Sequence, residues 1–134
     1  CAVNPRLVTI EELAAAIATT TGPLLSAEIS PQARGLYLAT GDAGIDVAVT
    51  FWAEALASSP RFANPAAFPW TLANAPAGAI ARALDIRGPC FTLVGGGEAM
   101  VAALAHADQD LARFDRRGQE LFEGAGFFFA SDGD

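Results

Sequence analysis

The chain has 134 residues, 52% hydrophobic and 17% charged, with eight basic against fifteen acidic side chains and a net charge of -7. That size fits one domain, here residues 1–134, and the apolar content excludes a disordered chain. All eight bases are Arg, so a Schiff-base Lys, a Walker-type Lys and a polybasic stripe are absent, and nucleic-acid binding is a poor reading.

Thr9 with Glu12 has capping-box spacing, and Ile10, Leu13, Ala14 and Ile17 follow at helical intervals, so a helix runs to the Thr19–Pro23 cluster. Gly35–Thr40 is a short apolar run bounded by glycine and reads as a buried strand. A second helix opens after Gly44, with Ile45, Val49, Trp52 and Leu56 as the expected inward stripe. Residues 61–73 read as an irregular, packed connection. Pro76 suits the first turn of a third helix that buries Ala77, Ile80, Ala81 and Leu84. Cys90–Val94 is a second strand, and Gly95, Gly96 and Gly97 turn it into a long helix. Met100, Leu104, Ala107, Leu111 and Phe114 form that helix's stripe, and its first turns are apolar all round, as in a buried helix. Phe127–Phe129 reads as a central strand covered on both faces. Strands and helices alternate, which predicts an α/β fold with a mostly parallel sheet and helices packed on it, the last two strands joined by a right-handed crossover.

Four segments together resemble the N-terminal half of the β-ketoacyl synthases, condensing enzymes of the thiolase fold. They are Arg34–Gly41; Phe68, Pro69 and Asn74 with Ala77, Gly78, Ile80 and Ala81; Leu84, Ile86, Arg87, Gly88 and Pro89; and Cys90–Leu93. The resemblance implies a thiolase-like half, and it places the family's nucleophilic Cys at Gly97, which has no side chain to attack a thioester. It also implies two histidines from a C-terminal half, whereas the chain has one, His106. The expectation is therefore a degenerate catalytic position and a non-catalytic protein of fatty-acid or polyketide-type biosynthesis. The resemblance further implies dimerisation through the strand Cys90, Phe91, Thr92 and Leu93, with itself or with a full-length synthase. Arg113, Arg116 and Arg117 are the candidate dock for an acidic acyl carrier protein, although positive charge at a helix C-terminus also complements the dipole. A composite 3-oxoacyl-acyl-carrier-protein synthase, completed by another chain, is the alternative.

Other readings compete on residues alone. Gly95 and Gly97 match two glycines of a dinucleotide-binding loop, but Met100 stands at the third. Cys90 and His106 can be read as a nucleophile and base, against a buried strand Cys and a surface His. Glu11/Glu12 and Asp108/Asp110 read as solvated helix faces. No cofactor and no metal are expected. Two cysteines form no disulfide framework, which suggests a cytoplasmic setting, and no apolar run is long enough for a membrane span. A chain that opens on Cys1 reads as trimmed or processed.

Overall fold

The computed structural model describes residues 9–116 and 126–130. The elements, in order, are α1 (Ile10–Thr21), β1 (Leu36–Thr40), α2 (Ile45–Ala57), α3 (Ala75–Ala83), β2 (Cys90–Val94), α4 (Gly97–Arg116) and β3 (Gly126–Ala130). Short 3-10 turns fill the connections around residues 22–33 and 60–71. The fold is mixed α/β. The sheet has the order β2-β1-β3 with both pairings parallel, so the α4 crossover carries the chain past β1.

Strand β1 is the centre, and all five of its residues are buried. Side chains alternate across a strand, and the core divides accordingly. Leu36 and Leu38 pack with Ala14 of α1 and with Ala77, Ile80 and Leu84 of the α3 region. Tyr37 and Ala39 pack on the other face against Ala99, Ala103 and Ala107 of α4. Three alanines spaced by four make one flat stripe, which lets the α4 backbone lie close to the sheet. The result is three layers, with α1 and α3 below the sheet and α4 above.

Local chemistry explains where the elements begin. Thr9 Oγ1 accepts from Glu12 N while Glu12 Oε2 accepts from Thr9 N, the reciprocal cap expected for α1. Thr40 Oγ1 accepts from Ala43 N and Asp42 Oδ1 from Gly44 N, which folds the chain sharply from β1 into α2. Gly44 has φ 76°, a left-handed conformation that favours glycine, and its Cα faces Ile10.

Several expectations are corrected. Ile45, Val49, Trp52 and Leu56 are 53–80% exposed, and α2 instead buries Phe51 and Ala55. Both faces of this helix are apolar, and the one bearing Phe51 and Ala55 lies inward. The buried stripe of α4 is likewise alanine: Ala107 belongs to it, but Met100 and Leu104 are 41% and 43% exposed and Val101 63%, so the first turns are not buried all round. Leu111 is half-buried, and the Phe114 side chain lies outside the described residues. The run at 127–129 belongs to β3 at the sheet edge, because β1 occupies the middle. Phe62, in the connection expected to be packed, is 80% exposed.

Gly88 closes the fold behind β2. Its N–H donates to Arg34 O at 3.0 Å, and a Cβ added there would stand 2.3 Å from that same oxygen. The adjoining segment is tied just as tightly: Leu36 N donates to Pro89 O at 2.8 Å and Arg87 N to Pro31 O at 2.9 Å. Relief of the clash requires a shift of backbone rather than of a side chain. Gly88→Ala is expected to lower stability by about 1–3 kcal/mol, read as a lower urea midpoint with an unchanged slope.

Candidate functional site

The turn after β2 holds Gly97, the position to which the resemblance assigns a nucleophile. Gly95 N donates to Thr40 O at 3.0 Å, which ends the β1–β2 pairing, and Gly95 then takes φ 157°, outside the range of ordinary residues. Gly97 is the first residue of α4, and it is exposed. A Cβ built on it meets nothing within 4 Å, and its φ is not positive. The position thus has room for a side chain at a helix N-terminus, where free N–H groups and the helix dipole favour an anion. Glu98 supplies one: its carboxylate folds back to 3.1 Å from a Cβ built on Gly96 and 3.5 Å from one built on Gly95. With Met100 at the third glycine position, an acid beside Gly95 and Gly96 opposes a bound pyrophosphate.

Strand β2 lies at the sheet edge, and its residues are exposed or half-buried. Cys90 is an exposed free cysteine, not the buried one its apolar context suggested. Desolvation of its thiol nevertheless pushes the thiol pKa up, which opposes nucleophilic use. Cys90 is in register with Leu36, whose side chain packs on the α1–α3 side, while Phe91 is in register with Tyr37 on the α4 side. His106 stacks on Phe91 with ring centroids 5.7 Å apart. The thiol and the imidazole are therefore on opposite faces of the sheet, and a Cys90–His106 dyad does not form.

The α4 face carries a cluster that sequence reading missed. Phe91 is sandwiched between His106 and Tyr37, the latter at 5.6 Å and nearly parallel. The buried Tyr37 hydroxyl donates to Asp110 Oδ2 at 2.5 Å, so Asp110 does more than solvate its helix. Arg113 Nη1 lies 3.7 Å from Asp110 Oδ1 and stays largely exposed. Of the expected arginine cluster, Arg116 is the last residue of α4 and Arg117 lies outside the described residues. Arg113 is sixteen residues from Gly97 along the helix, or about 24 Å at 1.5 Å per residue. The candidate dock and the position to which the resemblance assigns a nucleophile are at opposite ends of α4.

A separate open cleft of about 250 Å³ is lined by Thr9, Ile10, Glu11, Val47, Asn64 and Trp70 among others, and none of the site residues predicted from sequence borders it. Among the described residues no three His, Cys, Asp or Glu gather to hold a metal ion. No helix among them is long and apolar enough to cross a membrane. No protein-family model matches the chain, and no curated protein matches it either.

Two measurements follow from this geometry. Burial, and then the hydrogen bond to Asp110, raise the Tyr37 pKa far above its ordinary value. A folded-state pKa above the unfolded one gives stability that is complete below the unfolded value of about 10 and is lost as pH rises past it. Tyr37 is the single tyrosine, so its phenolate absorbance reads this directly: it should emerge well above pH 10 and together with unfolding. Tyr37→Phe should flatten that alkaline loss while costing about 1–2 kcal/mol at neutral pH. For the turn, Gly97→Cys should fold normally and be alkylated by iodoacetamide about ten-fold faster than Cys90 at neutral pH, with Glu98→Gln accelerating it further.

Proposed function

We propose that the chain is a non-catalytic β-ketoacyl synthase-like subunit of fatty-acid or polyketide-type biosynthesis, which acts by pairing with itself or with a full-length synthase. The observation that carries this reading is the contrast between its two conspicuous positions. Where the resemblance places a nucleophile, the helix N-terminus bears Gly97, which has space but no reactive group. Where it places an association surface, β2 has a strand on one side only among the described residues. Along that edge strand Phe91 and Val94 are 43% and 53% exposed. An open apolar edge strand is a template for another chain and a liability when left uncovered.

On this reading the scaffold is used without the chemistry, as fold and function are separable. The exposed Arg113 at the far end of α4, together with Arg116 and Arg117, gives an acidic acyl carrier protein a local contact despite the overall charge of -7. The setting is taken as cytoplasmic.

A second reading, the composite synthase, is favoured by α2. Its exposed stripe Ile45, Val49, Trp52 and Leu56 runs the full length of the helix and lies away from β2. A further chain that completes an active site would cover such a stripe.

The test is size-exclusion chromatography with light scattering, alongside incubation with an acyl thioester and intact-mass analysis. We expect a dimer and no acyl adduct, with Val94→Lys yielding a folded monomer because charge on an edge strand blocks pairing. A monomer at every concentration that also fails to bind a full-length synthase would remove the pairing reading. An acyl adduct on the isolated chain would remove the non-catalytic one.

A further inference from the structure

The open cleft of about 250 Å³ lies where three elements meet: the start of α1 with Thr9, Ile10 and Glu11, the first turns of α2 with Val47, and the connection after α2 with Asn64 and Trp70. Its walls are preformed. Ile10 is buried, and a Cβ built on Gly44 would stand 3.3 Å from it, so the starts of α1 and α2 are packed against each other. Trp70 packs on the core around Leu36, Leu38 and Ile80, and its N donates to Ala67 O at 3.1 Å. Asn64 is fixed twice, since its Oδ1 accepts from Ala66 N at 3.0 Å and its O from Ala67 N at 3.1 Å. An occupant therefore orders little that is not already ordered. Pockets that take whole small molecules hold about 300–1,000 Å³, so this smaller cleft suits one long side chain.

The polar groups decide which side chain. Glu12 makes the reciprocal cap of α1, whereas Glu11 beside it has no hydrogen bond or ion pair among the described residues. The helix dipole favours an acid in that turn but leaves both carboxylate oxygens open. Thr9 Oγ1 and Asn64 Oδ1 each accept one main-chain N–H, and each keeps a second lone pair. The cleft thus offers oxygens, one group of them charged, around an apolar floor and an indole wall.

That combination excludes an anion and calls for a cation with several donors on an apolar stem. A lysine ammonium is compact and strongly hydrated, and it loses that hydration on entry. A guanidinium is flat and weakly hydrated, stacks on an indole face and gives a carboxylate two parallel N–H bonds. One group then remains, because Asn64 Nδ2 has no acceptor among the described residues. An arginine within a peptide brings main-chain carbonyls that can accept from it. The net charge of -7 also favours the approach of a cationic segment.

We infer that this cleft is a docking site for an arginine side chain carried by a peptide segment of a partner protein, its guanidinium on Glu11 and against Trp70. The inference is independent of the pairing function proposed above. The tryptophans are Trp52 and Trp70, so Trp52→Phe leaves Trp70 fluorescence as the reporter. N-acetyl-arginine N-methylamide titrated into that variant should change the emission saturably, with a Kd on the order of 1 mM. Propylguanidinium, which lacks a carbonyl, and N-acetyl-lysine N-methylamide should each bind about five-fold more weakly. Glu11→Gln should weaken the arginine compound about ten-fold, and Ala66→Phe should block it by filling the cleft. Both positions are exposed, so neither change should disturb folding. No saturable change, or equal affinity in the Glu11→Gln and Ala66→Phe chains, would overturn the site. Equal binding of the lysine compound would overturn the choice of arginine, and equal binding of propylguanidinium would overturn the peptide source.

Discussion

Strand β1 has a neighbour in every direction: β2 and β3 along its edges, α1 and α3 on one face, α4 on the other. Its exposures run from 0% to 3%, so each of its five side chains is specified by what it touches. The odd positions illustrate the constraint. Tyr37 needs a partner for its hydroxyl and finds Asp110, while Ala39 leaves room for the alanine stripe of α4 to approach. A larger residue at Ala39 or along that stripe would lift α4 from the sheet, and the Gly95–Gly97 turn would move with it. The geometry at Gly97 is therefore set by packing on β1 as much as by the glycines themselves.

The same strand explains the tightness around Gly88 and Arg34. For β2 to pair with β1 over residues 90–94, the link before it must pass directly over the entry to β1. Arg34 makes that crossing stable by donating to Leu84 O and Ser26 O, joining the end of α3 to the connection after α1. The neighbouring Asp85 sits at φ 50° and pairs with Arg87 at 2.7 Å, so the bend is fixed by a local ion pair as well as by backbone bonds. Glycine at 88 is a steric necessity here and carries no implication for chemistry.

Element order, the cap at Thr9, the parallel sheet and the glycine turn were legible from local sequence, because each depends on residues close together in the chain. Which face of a helix is buried was not. In α2 and α4 apolar residues occur on more than one face, and periodicity cannot rank them. In α4 the alanines at 99, 103 and 107 lie against Tyr37 and Ala39 of β1, whereas α2 buries Phe51 and Ala55, Phe51 against Phe68, and leaves its other large side chains outside. The Tyr37–Asp110 bond joins residues 73 apart in sequence, and nothing near either residue announces it. The exposure of Cys90 was hidden for a related reason: an apolar strand sequence does not reveal whether it lies in the middle of a sheet or at its edge. The sole cue was the resemblance, which treats this strand as an association surface.

An edge strand and a strand-to-helix turn are ordinarily separate concerns, yet here a single crossover unit, β2 with α4, supplies both. The turn is held by the end of the β1 pairing, through Gly95 N to Thr40 O, and β2, which has a strand on one side only among the described residues, leads directly into it. Anything that grips β2 from the open side also stiffens the base of the turn, because a strand paired on both edges loses its freedom to twist. A pairing subunit needs the edge and can dispense with the nucleophile; a condensing enzyme needs the turn held rigid while it presents a thiolate. The proposed subunit keeps the arrangement in which association supports the turn, with Gly97 where the reactive group would stand. On that proposal the strand, the link at Gly88 and the turn serve association, around a position that has no side chain.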